Sequence, residues 1–175
     1  MKFGFYLLLI LSVLKLSTGS DLITDSCRDA SKRDPKNINF DFCVASLKGK
    51  SPSPPTSLDE VAAMSIQITK SNGTNIVSTI SNLLKDSKFS DNAKKFLKDC
   101  SDGYSDSLSY LDEAIGSLKS KDFNSANIKV SAALEASVDC EDEFKEGNEK
   151  SPLTEENKVY FELNAMSLAF INMLK

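Results

Sequence analysis

Histidine is missing from all 175 residues, which removes Ser/His/Asp and Cys/His triads, histidine-ligated metals and histidine proton shuttles. Glycine and proline are scarce, at seven and five. That scarcity excludes collagen-like and low-complexity chains and leaves one ordinary globular domain, 41% hydrophobic and 26% charged. A Gly-rich phosphate loop, a CxxC pair and a zinc or calcium ligand array are all absent from the sequence, so neither cofactor nor metal is expected. Positive charge is not in excess either: 21 basic residues face 25 acidic ones, a formal net charge of −4. Such a chain has no electrostatic footprint for nucleic acid or anionic lipid.

What is present begins with an address. Lys2 precedes an apolar core from Phe3 through Leu16, and the small polar run Ser17-Thr18-Gly19-Ser20 follows. This is the layout of a secretory signal peptide over residues 1–20, with cleavage near Gly19 or Ser20. The apolar run is too short for the ~20 residues of a spanning helix, and Lys15 interrupts it. No later segment reaches that length, so the mature product, residues 21–175, is expected to leave the membrane.

Apolar spacing then reads as helix throughout. Phe40, Cys43, Val44 and Leu47 form a stripe within a helix expected from Lys36 to Lys48, stopped by Gly49. The run Ser51-Pro52-Ser53-Pro54-Pro55 reads as a linker. Ser57-Leu58-Asp59-Glu60 fits a capping box for a long helix over 58–86, with Val61, Met64, Ile68, Ile76, Ile80 and Leu83 on one face. Its polar middle, Lys70 to Asn75 with Gly73, predicts solvent contact or a local irregularity. A helix over 92–119 carries Ala93, Phe96, Leu97, Cys100, Tyr104, Leu108, Leu111, Ile115 and Leu118. After Ser120-Lys121-Asp122 comes a third stripe at Phe123, Ala126, Val130, Ala133, Ser137, Cys140 and Phe144. Thr154 is the expected N-cap of a last helix, whose apolar stretch from Leu163 to Leu174 belongs deep inside. No alternating strand pattern occurs. The fold class is all-α: a four-helix up-and-down bundle over 57–175 preceded by a short helical hairpin over 21–50.

Four cysteines in an exported chain imply two disulfides. In an antiparallel helical pair, residues equally far from the turn share a height, because each helix rises ~1.5 Å per residue. Cys100 and Cys140 centre on Ser120, and Cys27 and Cys43 centre on Pro35. Both centres are turns, which selects Cys27 with Cys43 and Cys100 with Cys140.

Catalytic residues are not found. The carboxylate pairs Asp99 with Asp102 and Glu141 with Glu143 read as solvated faces rather than as a glycosidase couple. Phe96, Tyr104, Phe123 and Phe144 lie at core spacing. The sequon Asn72-Gly73-Thr74 makes Asn72 a glycosylation candidate. A small-ligand carrier would need a large apolar cavity, whereas Ala126, Ala132, Ala133 and Ala136 suggest close helix packing. A rigid bundle of this kind is suited to presenting a preformed surface to another macromolecule.

The cysteine layout, with Asn39-Phe40-Asp41-Phe42-Cys43-Val44, Leu97-Lys98-Asp99-Cys100 before Gly103-Tyr104, and Ser131-Ala132-Ala133-Leu134 before Val138-Asp139-Cys140-Glu141-Asp142, resembles the plant invertase and pectin methylesterase inhibitor family. The stretch from Ser120 to Glu146 is most similar to the invertase inhibitors of pollen, several of which are known as allergens. The resemblance implies the same disulfide pairing. It also implies a secreted, monomeric inhibitor that docks one-to-one and reversibly over the active site of an acid invertase of the cell wall or vacuole, with pectin methylesterase as the alternative target. In the invertase branch a Pro-Lys-Phe motif enters the target. The corresponding segment here is Ser87-Lys88-Phe89, while Asp91-Asn92-Ala93 stands at the family's spacing before Cys100. The target-binding candidates are therefore Lys88, Phe89, Asp91 and Asn92. For a pectin methylesterase, the exposed Asn72, Thr74 and Asn75 would serve instead.

Overall fold

A computed structural model describes residues 21–50 and 53–175. The signal peptide expected over residues 1–20, and Ser51 and Pro52 of the linker, lie outside the described residues. Six helices follow in order: α1 (Leu22–Arg33), α2 (Phe40–Leu47), α3 (Leu58–Leu83), α4 (Asp91–Lys119), α5 (Phe123–Glu146) and α6 (Thr154–Met173). No strand occurs among the described residues. Helices α3 to α6 pack as a ring, each against its sequence neighbour, and α6 closes back on α3. The α1–α2 hairpin leans on α6 and α3. The expected all-α bundle with a leading hairpin is the fold observed.

Caps decide where the helices begin. Asp21 accepts from the Ile23 N–H, Asn39 from Phe42, Ser90 from Ala93, and Asp122 from Ser125. The second helix starts at Phe40, later than the expected Lys36. The Asp34 carbonyl takes the N–H groups of both Asn37 and Ile38, so the chain is still turning until Asn39 can cap. At α3, Ser57 occupies the cap position without a side-chain cap bond, and Glu60 reaches one residue further back to the Thr56 N–H at 2.7 Å. Thr154 is not the N-cap of α6. Leu153 holds that position, and the Thr154 hydroxyl instead donates to Glu141 at 3.0 Å.

Both disulfides join the residues that mirror symmetry selects. Cys27–Cys43 has a Cα separation of 5.7 Å and Cys100–Cys140 one of 5.0 Å. The bridges close loops of 16 and 40 residues, for which chain entropy gives about 3 and 4 kcal/mol. Between α4 and α5, Lys121 adopts a left-handed φ of 61°. Asp122 N–H donates to the Ser117 carbonyl at 2.9 Å and Lys121 N–H to Leu118 at 3.0 Å, the paired bonds of a Schellman turn.

The interior of the ring is partly polar. The inner stripe of α3 runs through Ala62, Ser65, Ile66, Thr69, Gly73, Ile76 and Ile80, while Met64, Ile68 and Leu83 are only half-buried. Ser65 and Thr69 enter the core because their hydroxyls are satisfied there. Ser65 meets the Ala62 carbonyl and the Ser167 hydroxyl at 2.9 Å each, and Thr69 donates to the Ser65 carbonyl at 2.9 Å. The helix also runs unbroken through its polar middle. Gly73 faces inward, and a Cβ there would stand 3.0 Å from the Tyr160 ring. The absence of a side chain lets α6 approach α3. Tyr160 in turn packs edge-on against Tyr104, with ring centroids 4.9 Å apart. The apolar stretch of α6 is buried from Leu163 through Ser167 and from Ala169 through Ile171, but its end is not: Asn172 is exposed and Met173 and Leu174 are half-buried where the helix runs out at Leu174.

The left-handed Lys121 marks a position where glycine costs less, since an L side chain at positive φ carries about 1 kcal/mol of strain. Lys121→Gly is expected to raise the melting temperature by about 3 °C, measured by thermal denaturation of the oxidised protein.

Candidate functional site

The α3–α4 connection, residues 84–90, and the α5–α6 connection, residues 147–153, meet at one end of the bundle. Up-and-down topology requires this, because α3 and α5 both terminate there. In the first connection the backbone turns on short bonds, Lys85 N–H to Asn82 and Asp86 N–H to Leu83. Asp86 then organises the tip. Its carboxylate accepts the Lys88 N–H at 3.0 Å and pairs with the Lys88 ammonium at 3.0 Å. These bonds, the backbone one first, hold the Asp86 carboxyl below the ordinary aspartate range.

Lys88 points outward, its side chain 68% exposed. The ammonium lies 5.3 Å from the centroid of the Phe89 ring, which is itself half-buried against the core. Asp91 and Asn92 are exposed in the first turn of α4. The structure thus brings Lys88, Phe89, Asp91 and Asn92 together on one tip. Asn72, Thr74 and Asn75 lie elsewhere, on α3, roughly 12 Å or more further down that helix at ~1.5 Å per residue. Thr74 and Asn75 are exposed, but Asn72 is half-buried, and its side-chain oxygen is enclosed without a hydrogen-bond partner. Asn72 and Asn75 border an open groove of about 460 Å³ against Phe42, Ser46, Val159 and Leu163.

Two residues that order the tip were not singled out in the sequence. Ser90 both caps α4 and donates its hydroxyl to the Glu149 carboxylate at 2.9 Å, tying the two connections together. Ser90 has a local signal, a serine before a polar helical turn. Glu149 has none, since its partner lies 59 residues away.

The carboxylate pairs are not all solvated faces. Asp99 and Asp102 are exposed as expected. Glu141 is half-buried and engaged on both oxygens, by the Asn157 amide at 2.6 Å and by Thr154. Asn157 also accepts the Tyr104 hydroxyl at 2.5 Å, and Ser107 bonds Tyr160 beside it. Burial, followed by the neighbouring Tyr160, pushes the Tyr104 phenol up and keeps it a donor. Glu143 is half-buried, with one oxygen enclosed and unpartnered. Desolvation, then Asp99 and Asp139, raise its carboxyl above the ordinary glutamate range. Among the described residues, no group of three or more His, Cys, Asp or Glu is placed to hold a metal ion, and no helix is long and apolar enough to cross a membrane.

The clefts of about 460, 290 and 540 Å³ run along the hairpin at the surface. The ring interior is filled by Tyr104, Tyr160, Phe144 and Phe170, all fully buried. Fold and tip together define a disulfide-pinned helical scaffold that carries a structured, charged surface loop. The sequence pattern of the family described as Plant invertase/pectin methylesterase inhibitor matches residues 21–170, and the chain belongs to that family. Its members inhibit enzymes and are not themselves enzymes. A Platanus acerifolia protein described as "Putative invertase inhibitor" is 42% identical over 98% of this chain and 94% of its own length. Pectinesterase inhibitor 12 of Arabidopsis thaliana is 37% identical over 90% of each chain. The crystal structure of a mutant form of a pectin methylesterase inhibitor from Arabidopsis superposes with a TM-score of 0.71 at 26% identity, over 84% of this chain and 97% of that one.

The enclosed oxygen of Glu143 sets the sign of a pH effect. With its folded pKa raised, the protonated form contributes stability that is complete below the ordinary glutamate value of about 4.3 and is lost as pH rises through the folded value. Glu143→Gln is therefore expected to melt with the wild type in strong acid and above it at neutral pH. Equal melting temperatures across the range would refute the assignment.

Proposed function

We propose that the chain is a secreted protein inhibitor of an acid invertase, acting by reversible one-to-one docking of a monomer over the enzyme's active site. The observation that carries this reading is the 42% identity to the Platanus acerifolia protein over nearly the whole of both chains. The geometry of the tip supports it. Lys88 stands clear of the bundle, braced by Asp86 and Phe89, and a retaining glycosidase displays two carboxylates that an ammonium can meet. Docking would exchange the weak exposed pair with Asp86 for a desolvated one with the target. Phe89, Asp91 and Asn92 would form the rim of the contact.

Export supports the same reading. Residues 1–20 have the composition of a signal peptide, and the family match begins at Asp21, where α1 is capped. The mature protein is residues 21–175, a hairpin over 21–50 and a bundle over 57–175. Two disulfides suit an oxidising compartment, the apoplast or alternatively the vacuole. Asn72 carries the chain's sequon beside the 460 Å³ groove and is the residue to test for a glycan.

A second reading, inhibition of a pectin methylesterase, rests on the 37% identity to the Arabidopsis inhibitor and on the polar strip of Thr74 and Asn75 on α3. Parallel assays at acidic pH separate the two. The purified protein is expected to slow an acid invertase at micromolar concentration and to leave a pectin methylesterase unaffected. Lys88→Ala is expected to weaken inhibition of invertase by at least about tenfold, the loss of one desolvated charge contact. Slowing of the methylesterase alone would transfer the assignment to the second reading. Unchanged potency of Lys88→Ala would clear that lysine of the role.

A further inference from the structure

The molecule is acidic as a whole, but its two connections at the Lys88 end are not: residues 84–90 and 147–153 hold three lysines against two carboxylates, with Glu155 and Glu156 following in the first turn of α6. Both carboxylates of the connections are engaged, Asp86 by Lys88 and Glu149 by Ser90. Lys85, Lys88 and Lys150 are exposed. A charge contrast of this kind complements an acidic cleft and steers the approach of its owner.

The two connections are also one mechanical unit. Among the described residues, the polar tie that joins them is the hydroxyl of Ser90 on the Glu149 carboxylate. Ser90 is two residues from Lys88 and fixes the first turn of α4, so a shift at Glu149 passes directly to the tip. The α5–α6 side is itself held firmly. Asn148 takes a left-handed φ of 54°, Glu149 N–H donates to the Phe144 carbonyl at 2.9 Å, and Gly147 packs so closely on Phe96 that a Cβ would overlap its ring. Glu149 is thus presented from a fixed base toward the residue that caps α4.

From these observations we infer that the α3–α4 and α5–α6 connections form a single docking surface for the acidic active-site cleft of the target, and that Glu149, acting through Ser90, is its positioning residue. This rests on the invertase reading and adds a second loop to it. Lys150 joins Lys88 in facing the partner. Glu149 contributes by geometry, against its own charge.

That opposition makes the test decisive. If charge alone mattered, removing the Glu149 carboxylate would tighten binding to an acidic cleft in any variant. Positioning gives a different order. Glu149→Gln keeps an acceptor for the Ser90 hydroxyl and is expected to inhibit acid invertase as well as the wild type does or better. Glu149→Ala loses the tie and is expected to be about tenfold weaker, the cost of re-ordering the loop on binding. Backbone amides of residues 86–89 should exchange hydrogen about tenfold faster in the Ala variant alone. In a Lys88→Ala background, Glu149→Ala should change potency by less than about twofold. A wild-type protein that leaves invertase unaffected overturns the functional reading and the docking surface with it. An inhibiting wild type whose Glu149→Ala variant is equally potent overturns the positioning role alone.

Discussion

The register between α4 and α5 is the constraint on which the rest of the molecule depends. It is set twice: by the turn in which Lys121 accepts a left-handed backbone, and by the sulfur bridge twenty residues from that turn on either side. With those two heights fixed, Tyr104 and Ser107 on α4 can only face the place where α6 brings Asn157 and Tyr160. The polar chain through the core then closes onto Glu141, and each buried donor finds its acceptor. A slip of one residue would strand several of these groups, at roughly 1–3 kcal/mol each. The same register carries α5 to the far end at the height where Glu149 can reach Ser90.

Much of this was legible because helical geometry converts sequence distance into height. Cys27 and Cys43 about Pro35, and Cys100 and Cys140 about Ser120, could be paired by arithmetic. The stripe of α5 was legible for a similar reason, since its core positions are apolar or small, whereas that of α4 was legible only in part: Ser107 and Ala114 take the interior and Phe96, Leu108 and Ile115 are half-buried. The stripe of α3 was not. Ser65, Thr69 and Gly73 look solvent-facing by type, and only the carbonyl one turn back, the Ser167 hydroxyl and the Tyr160 ring make them interior. Thr154 misled for the opposite reason: it is already the first residue of α6, and its hydroxyl donates to Glu141 instead of capping the helix.

The tip shows the same division. Lys88 and Phe89 are recognisable as a local motif, and the brace from Asp86 is two residues away. The tie from Glu149 crosses 59 residues and leaves no pattern in the chain. Pairings of that kind arise from topology, when two connections are delivered to one end, and a linear reading has no means of anticipating them.

Neither sulfur bridge crosses from the hairpin to the bundle, since each joins two helices that are already adjacent in sequence. What fastens the hairpin to the ring is non-covalent: the Asn39 N–H on Glu162 at 2.8 Å, and apolar burial by residues such as Ile23, Ile38 and Leu47. Traction applied at the amino terminus would therefore peel α1 and α2 away as one unit held by Cys27–Cys43, with Cys100–Cys140 outside the path of the load. The bundle left behind would keep its own clamp, and the rupture would run along the seam with α6 and α3 rather than through the ring.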